Sequence, residues 1–288
     1  MVKLWQYSTI ASGNEEPFAW QAAGMGYVIH TSANRFIVID GGHEADAERL
    51  IELMKRESGK EKPEVALWIL THPHDDHVNA LLYIADRQEL KARLNIQQIA
   101  VSLPERFEQK RGADCSSTFR GVKQLSEKLN CAQICPEAGD VTEVDGLKLE
   151  FYFSWKDMEC QDPNELSLVF RLSGSDRCEL KKTVMFTGDA YESTLDIVLK
   201  NFKESQLKSD ICQAAHHGLN GGNRKFYQAV DADIVLVPIA GPAYEAMLYG
   251  EYKEDPQVDA NRLLMLSGMK PGKQLVRSVD GDFCIELG

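Results

Sequence analysis

Residues 71–77 read Thr-His-Pro-His-Asp-Asp-His and come just after the apolar stretch 66–70. In an extended segment, residues two apart point to the same side, so His72 and His74 can reach one cation from the end of a strand. If the chain then opens a helix, Asp76 and His77 project beside them, and a second cation can share the pocket. Imidazole and carboxylate donors suit zinc and related first-row metals. A polar helix cap needs only one short polar residue, so we interpret the run as a metal site.

The size and composition of the chain are those of an ordinary globular protein. Hydrophobic residues make up 43% and charged residues 26% of the 288 residues, and no apolar run approaches the length of about 20 that a membrane span needs. We expect one domain over residues 1–288, without a membrane span. Residues 1–7 lack the apolar core of a secretory signal. Seven cysteines without a Cys-x-x-Cys pair predict reduced thiols and a cytoplasmic protein.

The net charge restricts the classes of partner. A formal charge of −12 and a pI near 5.1 disfavour sequence-independent binding to nucleic acid, which relies on a basic surface. A nuclease with a local basic groove remains compatible with this charge. We expect a small-molecule or phosphodiester substrate, and the sequence leaves the oligomeric state open. Arg224 and Lys225 either steady such an anionic substrate or lie on a solvated helix face.

Apolar runs that end in turn residues alternate with helix-period segments, which indicates an α/β protein. Strands are predicted at 36–42, up to 71, and at 96–102, 149–153, 167–172, 183–187, 210–215 and 234–237, and helices around 50–54, 81–84, 119–129, 190–202, 224–229 and 257–267. Residues 104–146 begin with a charged stretch and contain an amphipathic helix, which suggests an inserted helical segment. A closing hairpin is predicted over 275–287, with a type I′ turn at Asp280-Gly281.

Two further polar clusters follow predicted strands. Asp189 comes directly after the strand 183–187, and His216-His217-Gly218 follows the strand 210–215. In open α/β sheets, ligands offered from the ends of several strands converge on one edge. We therefore expect these side chains to meet the run 71–77 in one site.

With these motifs the chain resembles the metallo-β-lactamase superfamily, whose signature is His-x-His-x-Asp-His. Residues 40–42 (Asp-Gly-Gly) are similar to the superfamily's first motif, 187–189 (Thr-Gly-Asp) to the fourth and 216–218 (His-His-Gly) to the fifth. The chain looks closest to the hydrolase domain of bacterial competence DNA-uptake membrane proteins. That likeness rests on the Ser-Leu-Val strand in 164–169, on His-His-Gly and on the order of elements in the tail. The resemblance implies a four-layer αββα sandwich with the site on one edge.

The resemblance also implies a ligand set for two divalent metal ions. His72 and His74 would hold the first metal, and Asp76 and His77 the second. Asp189 would bridge both metals. Zinc is the expected metal, with manganese and iron as alternatives.

The same resemblance gives roles to the histidine pair and to one carboxylate. His216 would be the histidine of the second metal, and His217 a proton donor just outside the ligands, or these two roles are exchanged. Asp76 would also orient the attacking hydroxide.

One position of the superfamily pattern has no counterpart in this sequence. The third motif normally supplies a histidine to the first metal, yet no histidine lies between His77 and His216. Asn164, Asp162, Glu165 or water would then fill that position. An oxygen ligand would make the first site harder and would shift its preference from zinc towards manganese.

Three other residues are predicted to lie outside the metal set. Asp40 is expected to tie loops together behind the site through backbone hydrogen bonds. His43 is expected to be exposed at a helix start, and His30 to be an ordinary strand residue.

The expected chemistry is hydrolysis. Two cations about 3.5–4 Å apart lower the pKa of a bridging water towards about 7 and take up charge on the substrate oxygen. The first hypothesis is a phosphoester or phosphodiester hydrolase. The second is an acyl hydrolase of a lactone, thioester or β-lactam, which the acidic surface suits and the missing histidine weakens. The third is a ligand-binding protein without catalysis, which the retention of six donor positions disfavours.

Overall fold

Two β-sheets form the centre of the molecule in the computed structural model, which describes residues 1–9, 24–219, 221–239 and 274–288. The first sheet has the order β15 (Phe283–Glu286), β1 (Lys3–Gln6), β2 (Gly26–His30), β3 (Phe36–Asp40), β4 (Glu64–Ile69), β6 (Gln98–Ala100) and β7 (Ala132–Ile134), and β5 (Asn95–Ile96) also pairs with β4. The second sheet has the order β14 (Gln274–Arg277), β13 (Ile234–Val237), β12 (Ile211–Gln213), β11 (Val184–Phe186), β10 (Val169–Gly174), β9 (Leu147–Phe153) and β8 (Val141–Val144).

The strand β3 illustrates why the sheets are covered on both faces. All five of its residues are buried, and successive side chains point to opposite faces. Ile37 and Ile39 lie in the apolar core between the two sheets, whereas Phe36 and Val38 lie in the core on the outer face of the first sheet. The run of four apolar residues, 36–39, fits this arrangement, because each face has a layer to bury against.

Helices cover the two outer faces. The described helices are α1 (Ala47–Ser58), α2 (Asp75–Ala85), α3 (Gln88–Lys91), α4 (Ser116–Lys123), α5 (Leu125–Leu129), α6 (Glu192–Asn201), α7 (Glu204–Leu207) and α8 (Arg224–Val230). Helices α1 and α2 bury apolar side chains on the first sheet, and α6 and α8 on the second. The predicted αββα sandwich is confirmed. None of the helices in the described ranges has the length and apolar character that crossing a bilayer requires.

The segment 104–146 contains more than helix. Its predicted amphipathic helix is divided into α4 and α5 at Gln124, and its last part contributes an edge strand to each sheet, β7 to the first and β8 to the second. The Thr118 hydroxyl of α4 donates a hydrogen bond to the carbonyl of Pro73. The segment therefore lies against the metal-binding run.

The prediction of a closing hairpin was wrong. Strand β14 pairs in parallel with β13 in the second sheet, and β15 pairs with β1 in the first sheet. A type I′ turn needs positive φ at both central residues, but Gly281 (φ 108°) has positive φ whereas Asp280 ends a 3₁₀ turn. The chain instead passes from the second sheet to the first between these two strands. The helix predicted over 257–267 lies outside the described residues.

Candidate metal centre

Three strand ends bring the predicted donor residues together. The run 71–77 follows β4, Asp189 follows β11, and His216-His217 follows β12. Gly188 lies at a close approach of two segments, because a Cβ there would lie 3.0 Å from Thr71 Cβ and 3.1 Å from Ser167 Cβ. Its φ of +52° is also readily adopted by glycine.

Four donor atoms form a compact set, which we call the Asp76 site: Asp76 Oδ2, His77 Nε2, His217 Nε2 and Asp189 Oδ2. His217 Nε2 lies 3.0 Å from Asp76 Oδ2, 3.3 Å from His77 Nε2 and 3.4 Å from Asp189 Oδ2. His77 Nε2 lies 3.6 Å from Asp76 Oδ2 and 3.3 Å from Asp189 Oδ2. Tetrahedral zinc with bonds of about 2.0–2.1 Å places its ligand atoms about 3.3 Å apart. The residues present therefore fit a divalent first-row metal.

A second set, the His72 site, shares Asp189 with the first. His72 Nε2 lies 3.0 Å from His74 Nδ1 and 3.7 Å from Asp189 Oδ2. The Nε2 atom of His216 lies 3.8 Å from the same carboxylate oxygen. All six donor residues of the predicted metal set thus line one pocket.

The outer ring nitrogens of three histidines are held by oxygen atoms. Asp40 Oδ2 lies 2.8 Å from His77 Nδ1, the carbonyl of Pro238 lies 2.6 Å from His217 Nδ1, and Thr71 Oγ1 lies 3.2 Å from His72 Nδ1. Such contacts fix the ring orientation of metal-binding histidines and leave the other nitrogen for the metal. This arrangement makes Nε2 the donor atom of all three rings.

The electrostatics of the pocket favour cations. Although burial opposes ionisation of the carboxylates, the neighbouring histidines hold the pKa of Asp76 and that of Asp189 below the usual range. Burial lowers the pKa of His217, but Asp189 and Asp76 outweigh it and raise that pKa to about 10. The pKa of His72 is well below its ordinary value because of burial and of the neighbouring His77. The ionised carboxylates therefore attract positive charge into a buried pocket.

The histidine pair has an uncommon backbone. His216 (φ 51°, ψ 52°) and His217 (φ 56°, ψ 14°) are both left-handed, at a cost of about 1–2 kcal/mol each. Gly218 continues in the same region with φ 78°. Two adjacent side chains of a strand point to opposite faces, whereas this turn directs both rings towards Asp189.

The residues proposed to replace the missing histidine differ in their contacts. Asp162 accepts a hydrogen bond from the backbone of Asn164, and Glu165 accepts one from the backbone of Gln161 and pairs with Arg111 at 2.5 Å. Asn164 donates from Nδ2 to the Tyr191 hydroxyl at 2.8 Å, and its Oδ1 is buried without a hydrogen-bond partner.

Three residues were predicted to lie outside the metal set. Asp40 accepts a hydrogen bond from the backbone of Thr71 at 2.8 Å, so its role as a tie between loops is confirmed. His30 is confirmed as a strand residue of β2. His43 is not exposed as predicted, because it is 6% accessible at the start of a 3₁₀ turn that packs against α2.

Arg224 and Lys225 are exposed on the first turn of α8. Tyr191 and the Pro238 carbonyl were not singled out from the sequence. Tyr191 follows Asp189 by two residues, and that spacing is the one signal it carries. A backbone carbonyl carries no sequence signal at all.

Residues 23–165 match the family model described as the metallo-beta-lactamase superfamily, and the chain has the fold of that superfamily. The structure is similar to that of YhfI from Bacillus subtilis, a metallo-beta-lactamase fold protein, with a TM-score of 0.55 and 13% identity over 99% of this chain and 100% of that one. It is also similar to Zn²⁺-bound PqqB from Methylobacterium extorquens, with a TM-score of 0.55 and 11% identity over 100% of both chains.

A third similar structure is CmlA, a diiron β-hydroxylase from Streptomyces venezuelae, with a TM-score of 0.55 and 12% identity over 99% of this chain and 54% of that one. At these identities the likeness concerns the fold alone. The names of the neighbours include both zinc and iron proteins, so the fold does not fix the metal. No curated protein matches the chain.

Proposed function

We propose that this chain, with the fold of the metallo-β-lactamase superfamily, is a hydrolase that uses two divalent cations to cleave a phosphoester or phosphodiester. The observation that carries the proposal is the Asp76 site. His77 Nε2, His217 Nε2 and Asp189 Oδ2 lie 3.3–3.4 Å from one another, the spacing of tetrahedral ligands, and Asp76 Oδ2 lies 3.0 Å from His217 Nε2. When bound, cations at such sites act as Lewis acids and lower the pKa of bound water towards about 7.

Individual residues of the site have different roles in the proposed reaction. His217 is assigned to the Asp76 site as a ligand, the position first implied for His216. The side chain of Asp76 is 13% exposed, whereas those of His77, His217 and Asp189 are 0–2% exposed. Asp76 therefore remains in contact with the open side of the pocket, and we assign it to orient the attacking water.

The choice of a phosphoester rests on two arguments. Two cations that share a carboxylate can stabilise both the attacking and the leaving oxygen of an in-line displacement at phosphorus. The sequence also resembles the hydrolase domain of competence DNA-uptake proteins through residues 164–169 and through His-His-Gly. We keep zinc as the proposed metal. The cytoplasm is the proposed location, which the seven free cysteines support.

The test is a substrate panel with zinc- and manganese-loaded protein: bis-p-nitrophenyl phosphate, nitrocefin and a lactone. We expect turnover of the phosphodiester. The variant Asp189→Ala removes an oxygen that both donor sets share, so we expect it to lose activity and bound metal while remaining folded by circular dichroism.

Three results would contradict the proposal. Turnover of nitrocefin or of the lactone alone would favour an acyl hydrolase. A metal-supplemented chain that retains no transition metal would favour a ligand-binding protein without catalysis. Unchanged turnover in Asp189→Ala would remove that residue from the site.

A further inference from the structure

The two donor sets are not equally complete. The Asp76 site has four donors, of which His217 is one. The His72 site has three donors, from His72, His74 and Asp189, and no histidine lies between His77 and His216 to add a fourth. Tetrahedral structural sites bind zinc through four ligands, and catalytic sites through three with a water. One more nitrogen donor near Asp189 would complete the set.

His216 is the remaining imidazole beside Asp189. Its Nε2 lies 3.8 Å from Asp189 Oδ2, nearly the same as the 3.7 Å between His72 Nε2 and that oxygen. The rings of His216 and His217 diverge, with centroids 6.1 Å apart and planes inclined by 53°. Because the rings diverge, His217 can serve the Asp76 site while His216 stays available to the His72 site.

The surroundings of His216 hold it in this position. Its backbone N–H donates to the carbonyl of Gly188 at 3.1 Å, directly beside Asp189. The Tyr191 ring packs edge-on against the His216 ring with centroids 5.6 Å apart. Gly221 leaves room for it, because a Cβ at that position would lie 2.5 Å from His216 Cβ. A side chain enclosed in this way can act as a ligand without large rearrangement.

The oxygen donors of the 162–165 turn are less well placed. Asp162 and Glu165 are engaged by backbone N–H groups of their own turn. Asn164 donates a hydrogen bond to the Tyr191 hydroxyl, and the Tyr191 ring packs on His216. Its buried Oδ1 makes it the rival that the test must include.

We propose that His216 is a ligand of the His72 site and takes the place of the histidine that this sequence lacks. The two consecutive histidines would then divide between two cations that share Asp189. This assignment rests on the dinuclear site of the proposed function. It also removes the shift towards manganese that an oxygen ligand would cause, because three imidazoles and one carboxylate suit zinc better than manganese, which prefers oxygen donors.

Metal content measured by mass spectrometry after zinc loading and dialysis tests the assignment without any activity assay. We expect two equivalents for the natural chain and one for His216→Ala. The double variant His72→Ala/His216→Ala should still retain one equivalent, because both residues serve the same cation. His216→Ala combined with Asp76→Ala should retain none. His30→Gln, a histidine substitution on β2, is the matched control and should retain two.

Other outcomes would overturn the assignment. Two equivalents in His216→Ala would make that residue a proton donor rather than a ligand. Loss of both cations in His72→Ala/His216→Ala, with one retained in His216→Ala/Asp76→Ala, would move it to the Asp76 site. Loss of a cation in Asn164→Ala but not in His216→Ala would give the position to Asn164. Fewer than two equivalents in the natural chain would refute the dinuclear function itself, which separates that failure from the others.

Discussion

Asp40 lies outside the candidate ligand set and contacts one of its histidines, His77. Its carboxylate accepts hydrogen bonds from the backbone and the hydroxyl of Thr71, both at 2.8 Å, and contacts His77 Nδ1 at 2.8 Å. Its backbone carbonyl accepts a hydrogen bond from Trp68 Nε1 at 2.6 Å. Burial raises the pKa of Asp40, and the contacts with His77 and Thr71 oppose that rise. One buried carboxylate thus orients both the run 71–77 and a ligand ring.

We expect Asp40→Asn to weaken metal binding at the Asp76 site by about 10–100-fold. The amide has no charge and would direct N–H donors towards Thr71 or His77, so the His77 ring would lose the acceptor that fixes it. The measurement is a competition titration with a chromophoric chelator. Asp86→Asn, an exposed position at the end of α2 paired with Lys128, is the control and should leave the affinity unchanged. Equal affinity in both variants would show that Asp40 does not support His77.

At the scale of elements, helix α8 depends on the residue that caps its N-terminus. Asn223 Oδ1 accepts hydrogen bonds from the backbone of Lys225 at 2.9 Å and of Phe226 at 3.3 Å. Its Nδ2 donates to Asp196 of α6 at 2.6 Å. The helix buries Phe226 in the outer core of the second sheet. The cap therefore connects two helices of one layer.

Replacing Asn223 by alanine should lower the free energy of unfolding by about 1 kcal/mol, within the range of about 0.5–2 kcal/mol for a lost helix cap. Two backbone N–H groups at the start of α8 would lose their acceptor. Urea denaturation of the metal-free protein measures the change. Asn95→Ala, at an exposed position on β5, should shift the midpoint far less. A midpoint for Asn223→Ala equal to that of Asn95→Ala would contradict the role of the cap.

Hydrogen bonds link one turn of each sheet. Asp145, in the turn between β8 and β9, accepts hydrogen bonds from Thr31 at 2.7 Å and from Arg35 Nε at 3.2 Å, both in the turn between β2 and β3. Burial alone would raise the pKa of Asp145, but the hydrogen bonds from Arg35 and Thr31 outweigh it and hold that pKa below its ordinary value. The folded state therefore favours the ionised carboxylate.

These hydrogen bonds predict a pH dependence of stability. Because the folded-state pKa of Asp145 is below the unfolded value of about 3.9, its contribution is fully present above that pH and is lost as the pH falls through the folded pKa. Unfolding of the natural chain and of Asp145→Asn, measured from pH 6 to pH 2.5, should differ most at pH 6 and converge at low pH. A difference that is constant over this range would assign the effect to packing rather than to charge.

At the scale of the whole molecule, the candidate metal centre lies between the two sheets. The ligands of residues 72–77 follow a strand of the first sheet, and Asp189 and His217 follow strands of the second. A cation that binds the folded chain but not the unfolded chain stabilises it by mass action. The cations are therefore expected to serve the fold as well as the reaction.

Removal of metal by a chelator should lower the melting temperature. At a free metal concentration 100 times the Kd, one site contributes about 2.7 kcal/mol, which the apo protein would lack. Differential scanning calorimetry with and without zinc measures the shift. Asp189→Ala should melt at the same temperature in both conditions. A natural chain that does not respond to zinc would indicate that its sites do not bind the metal.

The long apolar strands β3, β4 and β13 and the helices α1 and α6 were predicted from periodicity, because each is buried on a face that the pattern records. The strands β7 and β8 were not predicted, since they are short edge strands of three and four residues with several exposed positions. The closing hairpin was predicted wrongly because local turn residues do not record that β15 pairs with β1.

The sequence by itself determined the donor types, because imidazoles and carboxylates at 72–77, 189 and 216–217 stand directly after apolar strands whatever the fold around them. Only the tertiary structure decided how these donors meet. Their meeting depends on the left-handed backbone of His216 and His217, on the Pro238 carbonyl behind His217 and on the approach of strand ends from different sheets at Gly188. These backbone angles and contacts are set by the tertiary fold, and neither periodicity nor spacing along the chain contains them.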